Sequence, residues 1–366
     1  MFRQPDVVGN FQLTIKLLGL GSNSVMHESS NAGNERLERI LPSGVKESFP
    51  VFYFCEFVHS REAGVLPVPY MYDIQTVAQL ANALDSSEFE LLRFIYRAEE
   101  FYTRFRKKKS TGDMRTVAAP RKPLKAVQKA IVKKFLADIP LPDECTGFRP
   151  GMSILSNAQP HCKKRFVFNT DLEDFFGSIS SERVLGLYLR LGFSFPVACV
   201  LTELTTYIGC LPQGAPSSPY LANLIAYSMD ADLADFCAAN EWSYTRYCDD
   251  ITISGNGNFS LADMRTISDI VEVEGFRMNI KKTRFHKHNS KQMVSGLVVN
   301  EKPSLPRAKR RKIRAIFHQA EVEPERYGNR VKELENHLSI LSMLDPQSKE
   351  VEKYRTVLNR LISQAK

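Results

Sequence analysis

Two adjacent acids interrupt a strand-forming segment in the second half of the chain. Asp249 and Asp250 lie between aromatic and β-branched residues over Trp242–Ser254, a pattern that predicts two short strands joined by a tight turn. Neighbouring carboxylates repel each other, so a pair held at a buried turn needs a positive charge nearby. A chain with this segment is therefore expected to fold so that a cation or a basic group meets the turn.

A second strand signal also ends on an acid, because Arg165–Asp171 has aromatic alternation, with Phe166 and Phe168, and closes on Asp171. Between this segment and the hairpin, Leu221–Phe236 has the pattern of a helix. After the hairpin come a predicted helix, Leu261–Glu272, and a predicted strand, Met293–Val299. The order strand, helix, hairpin, helix, strand is that of a split βαβ sheet. We therefore predict an α+β fold that brings Asp171 beside the tip of the hairpin.

Three such carboxylates suggest a metal centre. Asp171, Asp249 and Asp250 would be hard oxygen ligands suited to Mg²⁺. Two such ions roughly 3.5–4 Å apart activate an attacking hydroxyl and stabilise a leaving phosphate. Taken singly, an Asp-Asp pair is more often a solvated turn, and an acid at a strand end is more often a cap. The hypothesis of a phosphoryl-transfer site therefore depends on all three acids together.

Basic residues are concentrated on either side of this acidic centre. The chain has 49 Lys+Arg against 41 Asp+Glu. Residues 104–134 hold twelve basic residues and one acid, and residues 301–315 hold seven basic residues and one acid. This distribution favours a protein that binds a polyanion with salt-dependent affinity. Either segment alone fits a solvated helix face equally well.

The composition excludes other classes of protein. Hydrophobic residues make up 43% and charged residues 25%, which is ordinary for a globular protein. No stretch approaches the roughly 18 apolar residues of a membrane span, and we expect no secretory signal. Seven cysteines with wide spacing and no C-x-x-C pair favour reduced thiols and a cytoplasmic location.

The remaining segments are less informative. Residues 1–70 contain no motif, and we predict an N-terminal extension of unknown role. The pattern is helical from Asp73 to about Arg106, over Leu124–Leu136 and through the last 65 residues.

Three short motifs follow one another along the chain, at Asp171–Phe176, Leu211–Pro219 and Tyr247–Asp250. Their order is that of the motifs of reverse transcriptases. Tyr247–Asp250 resembles the Y-x-D-D box of these enzymes, and Asp171–Phe176 resembles their first catalytic box. Leu211–Pro219, which reads LPQGAPSSP, matches their L-P-Q-G-x-x-x-S-P nucleotide-site box. The set of three is far more specific than any one of them.

Further short motifs occur at Gly147-Phe148, Ser153-Ile154 and Asn157–His161. They resemble the G-F, S-I and N-A-x-x-H segments of a narrower group, the bacterial retron reverse transcriptases. Val294–Gly296 resembles its V-T-G box, with Ser295 in place of Thr. The resemblance covers about residues 73–366.

The resemblance implies roles for particular residues. Asp171, Asp249 and Asp250 would bind two Mg²⁺ ions, and Lys282 would protonate the leaving pyrophosphate or merely contact phosphate. The residues implied to contact the incoming dNTP are Arg115, Phe175 through its backbone, Phe176, Gln213 and Gly214. Phe176 takes the place of an aromatic steric gate that leaves no room for a 2′-hydroxyl, and a core phenylalanine is the alternative.

A further set is implied to contact the primer or RNA. These residues are Tyr247, Val294, Gly296, Arg307, Lys309, Arg310, Arg311 and Lys312. Asn157 and His161 would either shape the local structure or touch RNA.

The fold implied is a right-hand polymerase with fingers, a palm built on a ferredoxin-like split βαβ sheet, and a helical thumb. The expected boundaries are residues 71–163 with 180–217 for the fingers, 164–179 with 218–300 for the palm, and 301–366 for an RNA-binding thumb.

The function implied is RNA-directed DNA synthesis. A structured non-coding RNA would serve as template and primer, starting at the 2′-hydroxyl of a guanosine and yielding a branched RNA–DNA hybrid (msDNA). A role in antiphage defence with a separately encoded effector protein is implied as well.

Three alternatives remain open. The first is a group II intron-like or other bacterial reverse transcriptase, against which we expect no DNA-binding or endonuclease domain after the thumb. The second is an RNA-dependent RNA polymerase, which Phe176 and the Y-x-D-D box disfavour. The third is a catalytically silent RNA-binding scaffold, which the presence of all three acids disfavours.

Overall fold

The structure is a computed structural model that describes residues 72–108, 112 and 114–364, and the backbone of a two-stranded hairpin within residues 36–50. The rest of the predicted N-terminal extension lies outside the described residues. The ten described strands, β1 to β10, are Arg36–Ile40, Lys46–Pro50, Tyr102–Lys108, Met114–Pro120, Phe166–Asp171, Ser243–Tyr247, Asp250–Gly255, Arg284–Lys287, Met293–Val294 and Leu297–Val298.

Helices make up most of the remaining described chain. In chain order, α1 to α14 are Val77–Ala83, Glu88–Tyr96, Ala98–Phe101, Lys122–Ile131, Ile154–Ala158, Ser181–Arg190, Phe195–Thr205, Ser218–Ile225, Tyr227–Ala239, Leu261–Val273, Arg307–Val322, Pro324–Tyr327, Val331–Leu344 and Lys349–Gln364. A π-helical turn, Val132–Leu136, extends α4, and a 3₁₀ turn, Gln159–His161, extends α5.

The chain divides into two compact units whose segments alternate along the sequence. The first unit comprises Met1–Pro142, Glu173–Asp232 and Glu274–Phe276. The second unit comprises Asp143–Leu172, Leu233–Val273 and Arg277–Lys366.

In the first unit, a basic hairpin replaces part of a predicted helix. β3 and β4 pair antiparallel, with Lys107 opposite Arg115. The prediction of helix to about Arg106 is wrong from Tyr102 onward. The apolar helical period ends with α3, and the exposed residues that follow in β3 pair through their backbone with β4, a partner that local propensity does not reveal.

In the second unit, four strands form one antiparallel sheet in the order β6-β7-β5-β8. This is the strand order of the predicted split βαβ arrangement. The fourth strand is β8, however, and not Met293–Val299 as predicted. That segment instead forms the separate β9–β10 hairpin. Ser295 and Gly296 close it with φ of 45° and 80°, a left-handed turn that a continuous strand cannot contain.

Another predicted helix is also interrupted. Leu221–Phe236 is divided between α8 and α9, because Ala226 ends α8 with φ −83° and ψ 4°. By contrast, the last 65 residues are largely helical, as predicted.

Strand β5 is buried on both of its faces. On one face the Phe166 ring lies 5.4 Å from Trp242, and the Phe168 ring lies 5.0 Å from Phe259, between centroids. On the other face, Val167 belongs to an apolar cluster with the C-terminal helices, in which Phe317 stacks on Tyr354 at 4.1 Å. This packing fixes the strand whose last residue is Asp171.

The sequence predicts neither a membrane-spanning segment nor a disulfide framework, and the described part of the chain can be compared with both predictions. None of its helices is both long and apolar enough to cross a bilayer. None of the six cysteines within the described ranges forms a disulfide.

Candidate active site

The β6–β7 hairpin closes with a two-residue turn that carries one of the predicted acids. Tyr247 pairs with Asp250, which leaves Cys248 and Asp249 as the turn, called here the acidic turn. Cys248 has φ of 62°. Positive φ at the first turn position is typical of a type II′ turn, and it is uncommon for a residue with a Cβ. Such a backbone persists only when its surroundings hold it in place.

Three contacts within the second unit hold the acidic turn. The Arg246 side chain, fully buried, donates to the carbonyl oxygen of Cys248 at 2.9 Å. The Leu172 amide, directly after β5, donates to the carbonyl oxygen of Asp249 at 2.7 Å. Gly147 packs so closely that an added Cβ would lie 2.1 Å from the Cys248 nitrogen. The turn is therefore confined from three directions.

The sheet places two of the predicted acids directly opposite each other. Asp171, the last residue of β5, pairs with Asp250, the first residue of β7. Like charges at opposed positions destabilise a sheet. Burial, followed by the charges of Asp171 and Asp249, raises the pKa of Asp250 to about 7. The acids thus act on one another, and their ionised forms need a positive charge.

Lys282 supplies such a charge from the loop before β8. Its ammonium donates a hydrogen bond to a carboxylate oxygen of Asp171. This bond is the main reason that the pKa of Lys282 is raised. Loop geometry fixes the lysine, because the backbone amide of Asn279 donates to the Asp171 carbonyl oxygen at 2.7 Å, and that of Lys282 to the Asn279 carbonyl oxygen at 3.0 Å.

The donor set suits a divalent cation, although no cage is preformed. Among the described residues, no group of three or more His, Cys, Asp or Glu side chains is arranged to hold a metal ion. The expected three-ligand cluster is therefore absent from the arrangement seen here. Burial and the neighbouring carboxylates disfavour the ionised form of Asp250, so a cation that binds there would relieve this cost. Lys282 already neutralises Asp171, and a bound cation would replace it in that role.

Residues predicted to contact the nucleotide lie in the first unit. Arg115 is exposed on β4. Three residues later, the Ala118 amide donates to the carbonyl oxygen of Gln213 at 3.0 Å. Gly214 has φ of 133°, and an added Cβ would lie 3.0 Å from the Ala118 oxygen. The loop that carries Gln213 therefore packs on the strand that carries Arg115, and Gly214 allows that approach.

The two phenylalanines of the first catalytic box differ in burial. Phe175 is 4% exposed and packs against Phe276 with ring centroids 5.6 Å apart. Its side chain is thus part of the core, which leaves only its backbone for the predicted nucleotide contact. Phe176 is half-buried.

The predicted primer and RNA contacts need one correction. The Val294 side chain is 1% exposed and belongs to the apolar cluster of the second unit, so the predicted contact does not hold for this side chain. The strand alternation turns it inward. Gly296, in the turn of the same hairpin, is exposed, and Tyr247 is half-buried.

The basic residues of α11 also divide into two groups. Arg310 donates twice to one carboxylate oxygen of Glu350 in α14, at 3.1 and 2.7 Å, so it joins two helices. Arg310 is nevertheless exposed, as are the other predicted members of this set, namely Arg307, Lys309, Arg311 and Lys312. Sequence patterns do not identify Glu350 as the partner of Arg310, because the two residues lie 40 positions apart.

Asn157 and His161 are both fully buried. The imidazole nitrogens of His161 lie 2.6 Å from the Ser254 hydroxyl and 2.8 Å from the Thr245 hydroxyl, so the ring joins β6 and β7. This placement fits the structural alternative of the two roles considered for them. Sequence reasoning missed Arg246, since a buried arginine has no pattern that distinguishes it from an exposed one.

Acidification is expected to destabilise the protein through His161. Burial lowers the pKa of this imidazole from 6.5 to about 3, with a smaller contribution from Lys164. Below about pH 6.5 the unfolded chain binds a proton that the folded chain excludes until about pH 3, so stability falls as the pH drops through this window. We expect a loss of about 2 kcal/mol from this residue between pH 7 and pH 5.

Urea unfolding at the two pH values measures this effect. The His161→Gln variant lacks the titrating ring, so its free energy of unfolding should change less between pH 7 and pH 5. An equal change in both proteins would show that His161 does not titrate as described.

Comparison with known proteins agrees with the geometry of the site. Residues 106–313, more than half of the chain, match the family described as reverse transcriptase (RNA-dependent DNA polymerase). That family has the polymerase fold, in keeping with the mixed helices and sheets seen here.

Several curated relatives belong to one branch of that family. The retron Mx65 reverse transcriptase of Myxococcus xanthus is 34% identical over 299 residues, which cover 75% of this chain and 70% of the relative. The retron Ec86 reverse transcriptase of Escherichia coli is 34% identical over 267 residues, which cover 72% of this chain and 82% of the relative. The retron Mx162 reverse transcriptase of Myxococcus xanthus is 30% identical over 314 residues, which cover 75% of this chain and 65% of the relative. With its opposed acids and its acidic turn, the chain belongs to the bacterial retron reverse transcriptases and is an RNA-directed DNA polymerase.

Proposed function

We propose that this enzyme copies one structured non-coding RNA into DNA and that the same RNA supplies template and primer. The 2′-hydroxyl of a guanosine attacks the α-phosphate of the first dNTP, which forms a 2′,5′-phosphodiester and releases pyrophosphate. Further dNTPs then extend the 3′ end, and the product is a branched RNA–DNA hybrid (msDNA). Similarity to retron reverse transcriptases supports a structured RNA as template and primer. The pairing of Asp171 with Asp250 is the observation that supports phosphoryl transfer at this site.

In this proposal the three acids hold two Mg²⁺ ions. When bound, these ions activate the attacking hydroxyl and neutralise charge on the phosphates. Asp171, Asp249 and Asp250 are the ligands, and their mutual repulsion supports the assignment. Lys282 neutralises Asp171 in the absence of the metal and contacts or protonates the leaving pyrophosphate during the reaction.

The residues of the first unit bind the dNTP in this proposal. The planar guanidinium of Arg115 binds phosphate oxygens, for which its exposure on β4 leaves it accessible. Gln213, Gly214 and the backbone of Phe175 line the nucleotide, and Phe176 excludes a 2′-hydroxyl.

The contacts to primer and RNA are assigned to exposed or half-buried residues. Tyr247 and Gly296 contact the primer. Exposed basic residues of α11 hold an RNA stem through its phosphates, namely Arg307, Lys309, Arg310, Arg311 and Lys312. The proposed domains keep the predicted boundaries, with the fingers in residues 71–163 and 180–217, the palm in 164–179 and 218–300, and the thumb in 301–366.

The branched product provides the direct test. The protein is co-expressed with its neighbouring non-coding DNA, and the nucleic acid that co-purifies is sequenced and treated with an enzyme that cleaves 2′,5′-phosphodiesters. We expect this treatment to separate a single-stranded DNA from its RNA. A DNA product that the treatment leaves unchanged would exclude priming from a 2′-hydroxyl.

A role in antiphage defence, with a separately encoded effector protein, is part of the proposal and is supported by the resemblance alone. Cells that carry the complete locus are expected to survive phage infection better than cells whose locus carries Asp249→Asn. Equal survival of the two strains would argue against the role.

Removing the ring of Phe176 is expected to relax selection against ribonucleotides. In Phe176→Val, the space for a 2′-hydroxyl opens, so the ratio of kcat/KM for dNTP over rNTP should fall by about 10²-fold or more. Single-nucleotide incorporation with dGTP and GTP measures the ratio. Phe94→Val, which removes a ring from the core of the first unit, serves as the control and should leave the ratio unchanged. An unchanged ratio in Phe176→Val would favour the core-phenylalanine interpretation.

A further inference from the structure

A chain of polar contacts joins the turn of the β9–β10 hairpin to strand β6. The Asn157 amide nitrogen donates to the Ser295 hydroxyl at 2.8 Å, and the Asn157 amide oxygen accepts from the Thr146 hydroxyl at 2.7 Å. The Thr146 hydroxyl also lies 3.1 Å from the carbonyl oxygen of Arg246, to which the Thr146 backbone amide donates at 2.9 Å. All four residues belong to the second unit.

Burial restricts the movement of the residues in this chain of contacts. Asn157 and Arg246 are fully buried, and Thr146 is 4% exposed. The two ends of the Asn157 amide bind different partners, so a displacement of Ser295 would leave a buried donor unsatisfied. The turn of the β9–β10 hairpin is therefore held at a set position relative to β6.

The turn itself divides its two residues between the interior and the surface. Ser295 is half-buried and directs its hydroxyl to Asn157, whereas Gly296 is exposed. Ser295 adopts φ of 45°, a conformation that a residue with a Cβ keeps only when its surroundings impose it. The hydrogen bond from Asn157 is such a constraint.

At its other end, the chain of contacts reaches the residue that precedes Tyr247. Arg246 accepts from Thr146 through its backbone and, through its side chain, holds the Cys248 carbonyl of the acidic turn. The chain of hydrogen bonds therefore connects the neighbour of Gly296 with the neighbour of Tyr247. Gly296 and Tyr247 are the two residues assigned to the primer in the proposed function.

We propose that Asn157 is a positioning residue that sets the spacing between these two primer contacts, and so aligns the primer hydroxyl with the acidic turn. The inference rests on the proposed function, in which Tyr247 and Gly296 contact the primer. Asn157 acts through Ser295 and Thr146 and touches neither primer nor nucleotide.

Two substitutions at Ser295 test the link. Thr and Val have the same shape and the same restriction at a positive φ, but only Thr keeps the hydroxyl that Asn157 needs. We expect Ser295→Val to lower kcat for addition of a single nucleotide about tenfold, since a small misplacement of a reacting group has effects of this order. The KM for the dNTP should stay unchanged, and Ser295→Thr should recover most of the rate.

Asn300 offers a matched control at the base of the same hairpin. Its amide nitrogen donates to the carbonyl oxygens of His288 and Ser290, and its amide oxygen accepts from Gln292, so it braces the loop without a bond to Asn157. In kcat, the effects of Asn157→Ala and Ser295→Ala should be strongly non-additive. Those of Asn300→Ala and Ser295→Ala should be additive.

The outcomes separate this inference from the proposed function. Equal rates for Ser295→Val and Ser295→Thr would overturn the link, as would a loss confined to the KM for the dNTP. Thermal unfolding of the two variants shows whether both are folded, and the Ser295 pair decides the matter even where Asn157→Ala does not fold. An active Asp249→Asn enzyme would instead overturn the proposed site itself.

Discussion

Replacing Asp249 or Asp250 with asparagine is expected to abolish DNA synthesis while RNA binding persists. Asparagine keeps the shape of the side chain but carries no negative charge, so the donor set for the cations is lost. Coordination of the metal contributes several kcal/mol to phosphoryl transfer, and we expect a loss of at least about 10³-fold in the rate of primer extension. Extension of a labelled primer measures the rate, and a gel-shift assay measures RNA binding.

The stability of Asp250→Asn gives this prediction a second readout. Burial and two neighbouring carboxylates raise the pKa of Asp250 to about 7, so above that pH the metal-free fold carries an ionised side chain that its surroundings disfavour. A neutral side chain removes the repulsion, and the variant should unfold at a higher temperature than the native protein at pH 8 in the presence of a chelator. An inactive variant that is also more stable cannot owe its inactivity to misfolding.

Glu173 is the matched control for this pair of variants. It is an exposed acid two residues after Asp171, and it lies outside the proposed ligand set. Glu173→Gln should therefore extend a primer at nearly the native rate. If the double variant Asp249→Asn, Asp250→Asn still extends the primer, the assignment of the site is wrong.

The second large effect is expected from one added methyl group. In Gly147→Ala, the new Cβ would lie 2.1 Å from the nitrogen of Cys248 and 2.9 Å from the carbonyl carbon of Tyr247. Both are backbone atoms that cannot rotate away, so the acidic turn must move. A displacement of about 1 Å at a reacting centre costs about 10²-fold in rate, and overpacking of this kind costs about 1–3 kcal/mol in stability.

Gly186→Ala makes the same chemical change but is expected to raise the free energy of unfolding, whereas Gly147→Ala is expected to lower it. Gly186 lies within α6, and an added Cβ meets no atom within 4 Å. Gly186→Ala should stabilise the helix by up to about 1 kcal/mol and leave the rate of extension unchanged. Primer extension and urea unfolding of both variants make the comparison. A fully active Gly147→Ala enzyme would show that the acidic turn tolerates displacement.

The prediction of strand β3 as helix shows where local patterns mislead. Residues 102–108 follow a helical stretch and are rich in Arg and Lys, which are good helix formers. Their strand conformation comes from seven paired positions with β4, which begins at Met114. The same limit applies to β8, which pairs with β5, a partner far outside any local window.

What the amino-acid sequence determined by itself was local chemistry. The strand–turn–strand pattern around Asp249 and Asp250, the strand that ends at Asp171, and the basic segments on either side are all properties of short windows, in which side-chain alternation and turn residues decide the backbone. The motif order then identified the chemistry.

Only the tertiary structure decided which of these groups meet. Lys282 binds Asp171 across 111 residues, and Asn157 binds Ser295 across 138 residues. The buried Arg246 supports the acidic turn from a position where the sequence shows an ordinary charged residue. Such contacts depend on sheet register and on the packing of distant segments, because burial and the need to satisfy every buried polar group select the partners, and no short stretch of sequence contains that information.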